Sequence, residues 1–93
     1  MNKEYLIVNQ KDNVATVLVD LPAGKELEIS EGYSVLLLDN IALGHKFALS
    51  NITSGEPVIK YGEVIGVASC DIKPGNHVHV HNIDSARGRG DKE

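Results

Sequence analysis

Tryptophan is absent from the 93 residues, phenylalanine occurs once, and aromatics make up only 4% of the chain. A core without large rings must be aliphatic, and ten Val, eight Ile and nine Leu are present to build it. Val and Ile are β-branched and favour strands. Cysteine occurs once, as Cys70, which excludes an internal disulfide framework and fits a reducing compartment. Basic residues are in deficit: 9 Lys+Arg stand against 13 Asp+Glu, a formal charge of -4. That balance excludes a general binder of nucleic acid or anionic membrane, which needs a basic face to neutralise phosphates. Long hydrophobic runs are lacking too. Residues 6–8 are too short for the apolar region of a secretory signal, and residues 35–38 cannot span a bilayer. The sequence predicts a cytoplasmic protein with no membrane partner.

Ninety-three residues make one small domain. A domain of this size buries about 60–65% of its unfolded surface, so a thin core has to be well packed or supported by a partner, self-association included. Apolar runs alternate with turn signals about every 8–12 residues, the pattern of an all-β domain. Strands are predicted over residues 5–8, 14–19, 26–29, 35–38, 47–49, 58–61, 64–68 and 77–80. In the second, Val14, Thr16 and Leu18 alternate with Ala15, Val17 and Val19, which predicts burial of both faces. Residues 39–46 read as a short helical turn ended by Gly44. Residues 85–93 carry few apolar side chains and two glycines, and predict a mobile tail after a folded domain over residues 1–84.

One short pattern recurs. Asp20-Leu21-Pro22-Ala23-Gly24-Lys25-Glu26-Leu27 matches Asn51-Ile52-Thr53-Ser54-Gly55-Glu56-Pro57-Val58 and Asp71-Ile72-Lys73-Pro74-Gly75-Asn76-His77-Val78. Asp or Asn can close a turn with its side chain, Gly supplies a residue with φ > 0, and the flanking aliphatics plug into a core. The unequal spacing of the copies excludes a solenoid.

Three constellations can carry chemistry. His77, His79 and His81 are spaced by two, so on a strand they share one face while Val78 and Val80 share the other. Imidazoles so placed can hold a divalent metal, or the strand can simply turn a polar face to water. In Gly44-His45-Lys46, glycine lets the backbone bend or approach a ligand, an imidazole serves as acid or base, and the ammonium pairs with a carboxylate. The same triplet also reads as an exposed loop. Tyr61, at the end of a strand and before a hairpin formed by Gly62 and Glu63, can hydrogen-bond a hydroxyl or cover the edge of the core. Cys70 follows an apolar strand with no second cysteine, which favours a buried, inert thiol over a nucleophile or iron ligand.

The turn of the Asp-Ile-x-x-Gly type followed by a strand resembles the SAF-type β-clip domain. Gly44-His45-Lys46-Phe47-Ala48-Leu49, Val58-Ile59-Lys60-Tyr61-Gly62, Ile65-Gly66 and His77-Val78-His79-Val80-His81-Asn82, in that order, look like the amino-terminal region of the altronate dehydratase/galactarate dehydratase family. The resemblance runs from about Ile7 to Asn82. Arg87-Gly88-Arg89-Gly90-Asp91 is similar to the altronate branch at the point where a fused enzyme continues into its large domain. It implies a small all-β, SAF-like domain that is the small subunit of a split hydro-lyase, inactive without a large catalytic subunit. The implied reaction converts altronate to 2-dehydro-3-deoxy-gluconate plus water. The implied cofactor is a divalent metal, Fe2+ or Mn2+, held mainly by the large subunit. Carried onto this chain, the resemblance implies catalytic roles for His45, Lys46 and Tyr61. It implies substrate contacts from Gly44 and Lys46, and metal contacts from His79 first, then His77 and His81. Two other readings stand beside it: a sulfolactate sulfo-lyase small subunit, and a non-catalytic carbohydrate-binding or assembly SAF module.

Overall fold

Four copies of one turn organise the chain, three of them evident as a repeat and the fourth not. The structure, a computed structural model, describes residues 4–84, so the tail predicted over residues 85–93 lies outside the described residues. The fourth copy is Asn40-Ile41-Ala42-Leu43-Gly44-His45-Lys46-Phe47, where a helical turn is predicted. No helix occurs among the described residues. Gly44 does not stop a helix. It takes φ 86°, beside 91°, 90° and 89° at Gly24, Gly55 and Gly75, and so fills the left-handed position of the same turn.

The turns clasp each other in pairs. Leu21 and Ile41 exchange two backbone hydrogen bonds of 2.9 and 2.8 Å, and Ile52 and Ile72 do the same at 2.9 and 2.8 Å. The opening Asp or Asn of one turn then accepts from the fourth residue of its mate. Leu43 N–H donates to Asp20 Oδ1 at 2.8 Å, Ala23 N–H to Asn40 Oδ1 at 2.8 Å, and Ser54 N–H to Asp71 Oδ1 at 2.9 Å. The fourth bond of the set is missing because the residue corresponding to these donors, opposite Asn51, is Pro74, which has no N–H.

Among the described residues nine short strands run between the turns: β1 (Tyr5–Leu6), β2 (Val14–Val17), β3 (Glu26–Ser30), β4 (Tyr33–Leu36), β5 (Lys46–Ala48), β6 (Pro57–Lys60), β7 (Glu63–Ala68), β8 (His77–Val78) and β9 (Ile83–Asp84). They form an antiparallel sheet in the order β1-β2-β5-β8, a β3-β4 hairpin and a three-stranded β6-β7-β9 sheet. The four-stranded sheet divides two aliphatic cores. Ala15, Val17, Phe47 and Leu49 face one side, with Leu21, Leu27 and Ile41 of the first clasp. Val14, Ala48 and Val78 face the other, with Ile52, Val58 and Ile72 of the second. Each clasp therefore owns a core. The second and eighth positions of every turn copy, from Leu21 and Leu27 to Ile72 and Val78, are buried. The single phenylalanine, Phe47, lies fully buried at this divide and takes an edge-on contact from Tyr5, with ring centroids 6.2 Å apart.

Burial on both faces of the second strand holds from Val14 to Val17 and fails at Leu18 and Val19, which are exposed because the strand ends before them. The predicted strand over residues 77–80 is only His77–Val78. A turn begins at His79, whose carbonyl accepts from Asn82 N–H at 3.0 Å, so Val80 points into solvent at 80% exposure while Val78 is buried. Cys70 is exposed, correcting the expected buried thiol, because it sits in the turn between β7 and the clasp copy that begins at Asp71.

Candidate functional site

Registry brings two distant segments to one edge of the four-stranded sheet. β5 pairs with β8 through Lys46 opposite Val78 and Phe47 opposite His77. His45, immediately before β5, meets the histidine segment across this pairing. His45 Nδ1 lies 2.9 Å from His77 Nε2. The His45 ring stacks on His79 with centroids 4.5 Å apart and on His77 at 5.1 Å. One ligand nitrogen from each of His45, His77 and His79 falls within a span of 4.8 Å, and all three side chains are half-buried. His81 is exposed and lies against His77 at 5.3 Å, outside that group of three. All four histidines of the chain thus converge, although the strand alternation expected to align three of them breaks after Val78.

The histidine turn is held by residues that sequence patterns did not single out. Asn82, buried, accepts from His79 N–H at 2.9 Å and donates to the His77 carbonyl at 2.8 Å. Asp39 Oδ2 accepts from His77 N–H at 2.8 Å and from Asn76 Nδ2 at 3.2 Å. Both are signalled only weakly in sequence: Asn82 closes the histidine run, and Asp39 precedes the unrecognised turn copy.

Burial and the neighbouring imidazoles of His45, His81 and His79 push the His77 pKa down, against a smaller opposite pull from Asp39. Loss of hydration, with His45, Lys46 and His81 nearby, also lowers His79. Both shifts favour the neutral imidazole, the form that binds a metal. At 2.9 Å the His45 Nδ1–His77 Nε2 contact is a hydrogen bond between the two rings, one nitrogen donating and the other accepting.

Lys46 is half-buried beside this group, and burial, then the charge of Lys60, lowers its pKa while Tyr61 pulls it the other way. Tyr61 itself is 59% exposed at the β6–β7 hairpin tip, so it does not cover the core edge. That tip is Tyr61-Gly62, both at positive φ, rather than Gly62-Glu63, since Glu63 already belongs to β7. Gly44 is exposed, with open space where a Cβ would stand. Of the expected site residues, His45 is joined to the histidines, Lys46 lies next to them, and Tyr61 lies within charge–charge reach of Lys46.

Comparison with known proteins shows which family the chain resembles. The family described as "Altronate/galactarate dehydratase SAF domain" matches residues 3–86. The chain is similar to an altronate dehydratase of Escherichia coli, 47% identical over 85% of this chain and 16% of that protein. It is similar to a (2R)-sulfolactate sulfo-lyase subunit alpha of Chromohalobacter salexigens, 32% identical over 94% of this chain and 99% of that one. A galactarate dehydratase (L-threo-forming) of Escherichia coli is 35% identical over 80% of the chain and 14% of its own length. The chain thus spans about a sixth of the dehydratases it matches and nearly all of the sulfo-lyase subunit.

Proposed function

The chain belongs to the SAF-domain family of the altronate and galactarate dehydratases, and from that membership we propose that it is the small subunit of a split, metal-dependent sugar-acid dehydratase, most like altronate dehydratase. It completes the active site of a large subunit that converts altronate to 2-dehydro-3-deoxy-gluconate and water. The observation that carries this reading is the nitrogen group of His45, His77 and His79 with Lys46 and Tyr61 beside it. The full-length likeness to a protein named subunit alpha supports a separate small chain.

Three imidazole donors suit Fe2+, whereas Mn2+ prefers oxygen donors. His45, His77 and His79 would hold the ion, with the large subunit and substrate filling its other positions. When bound, a divalent ion supplies Lewis acidity toward the carboxylate and the departing hydroxyl. Lys46 pairs with the substrate carboxylate as a point charge. Tyr61 Oη donates a hydrogen bond to a substrate hydroxyl. Gly44 lets the sugar acid approach the backbone. His45, expected from sequence as an acid or base, serves as a ligand, and the α-proton goes to a base of the large subunit.

The test is an anaerobic elimination assay with Fe2+, mixing this chain with its large subunit and offering altronate, galactarate and sulfolactate. A 2-keto-3-deoxy acid formed from altronate by the pair, and by neither chain alone, is expected. Robust turnover by the large subunit alone would refute the proposed role. A second reading, a sulfolactate sulfo-lyase small subunit, is favoured by the 99% coverage of that relative, and sulfite release from sulfolactate would establish it.

A further inference from the structure

Lys60 is a residue to which no role has yet been given, and the fold brings it to the edge of the site. It ends β6, and the loop before β2 pins that hairpin in place. Asn13 Oδ1 accepts from Ile59 N–H at 2.8 Å, and Asn13 Nδ2 donates to the Pro57 carbonyl at 3.0 Å. The buried Asp12 accepts from Gly62 N–H at 2.8 Å. The hairpin tip turns through Tyr61 at φ 60°, the one non-glycine residue with positive φ among the described residues. Bulky side chains avoid that region, and such outliers cluster at ligand clamps. Its effect here is to lay the Tyr61 ring under Lys60, whose Nζ is 3.8 Å from the ring centroid, so a cation–π contact fixes the ammonium.

Lys46 lies within charge–charge reach of Lys60, Tyr61 and His79. Among the described residues neither Lys46 nor Lys60 has a carboxylate partner, whereas Lys25 is paired with Glu4 at 3.4 Å. In a chain of net charge -4, two lysines within charge–charge reach of each other and without an acid repel, and an anion placed between them offsets that repulsion.

We propose that Lys60 and Lys46 form a two-armed clamp for the carboxylate of a polyhydroxy acid, with Tyr61 the strut that positions Lys60, at the edge of the His45–His77–His79 group. The identity of the acid rests on the function proposed above; the clamp itself does not.

Two measurements separate the two. The full chain is titrated with D-gluconate while backbone amides are followed by NMR, in the wild type, Lys60→Met, Lys60→Arg and Lys25→Met. Gluconate is expected to shift amides at residues 46, 60 and 61. Its affinity should fall about tenfold to a hundredfold in Lys60→Met, the loss expected for one charge-assisted contact. It should recover in part in Lys60→Arg and stay unchanged in Lys25→Met. No shift in the wild type, or equal affinity in Lys60→Met, overturns the clamp. In the two-subunit complex, Lys60→Met should raise KM for the sugar acid at least tenfold with kcat within about threefold. A fall in kcat with KM unchanged overturns the role of Lys60 in binding the carboxylate. If the complex turns over no sugar acid, the proposed function fails while the gluconate titration still decides the clamp.

Discussion

Gly75 offers the sharpest test of how the clasps are built. The four turn glycines share one backbone conformation, with φ between 86° and 91°. They differ in what surrounds them. A Cβ on Gly24, Gly44 or Gly55 would have nothing within 4 Å, but on Gly75 it would stand 2.0 Å from the Leu36 carbonyl oxygen and 2.9 Å from its carbon. The lack of a side chain at Gly75 lets the second clasp close on the end of β4, just past which Leu38 N–H donates to the Gly75 carbonyl at 2.9 Å. Alanine at Gly24 should then cost about 1 kcal/mol, from 1–2 kcal/mol for a left-handed L-residue less a few tenths to 1 kcal/mol of unfolded-state entropy. Alanine at Gly75 carries the same conformational cost plus displacement of backbone that cannot rotate away, at least about 2 kcal/mol more. For a domain of this size 1 kcal/mol moves Tm by about 4–8 °C. Gly24→Ala should lower Tm by about 4–8 °C, and Gly75→Ala by at least about 12 °C or to the point of not folding. Thermal and urea unfolding of the two variants side by side measure the difference. Equal destabilisation would refute the close approach of the Gly75 turn to β4.

Asn40→Ala strands the Ala23 N–H and should cost about 1 kcal/mol, whereas Asn51→Ala, whose counterpart is Pro74, should cost clearly less; urea midpoints decide it. His79→Ala should weaken Fe2+ binding to the full chain by about a hundredfold or more, and His81→Ala by far less, read as metal retained after anaerobic dialysis. For the metal-free chain, the lowered pKa of His77 and His79 means that the unfolded state takes up protons first as pH falls. Stability is then fully present above about pH 6.5, the ordinary histidine value, and declines as pH drops through the lower folded values. The slope of urea midpoint against pH between 7.5 and 5 should be shallower in His77→Asn, and an unchanged slope would count against the burial-driven shift.

Much of the fold was legible because its unit is local. A turn that needs Asp or Asn first, glycine fifth and aliphatics second and eighth writes itself into eight consecutive residues, and three copies could be read directly. The fourth, at Asn40, escaped notice because Leu43 and Lys46 surround Gly44 with residues equally at home at a helix end. The histidines were legible as a constellation, but for an incomplete reason. Strand alternation covers His77 and Val78 only; Asn82 and Asp39, through hydrogen bonds to the His77–His79 backbone, keep the imidazoles together after the strand ends. Cys70 is exposed and Val80 leaves the face of Val78 because each sits in a turn just past a strand, where alternation along the strand no longer sets direction.

What the sequence alone determined is what depends on nearest neighbours along the chain: an all-β domain, aliphatic cores, glycine-dependent turns, and a set of histidines and a lysine that are candidate site residues. What only the tertiary structure decided is who meets whom. The pairing of turn 20 with turn 40 and of turn 51 with turn 71 sets β5 beside β8, and this carries His45 across 32 positions to His77. The Asp12 and Asn13 loop brings Lys60 toward Lys46. Such contacts depend on which of several equivalent clasps close on one another, and that choice lies in the complementarity of two buried cores.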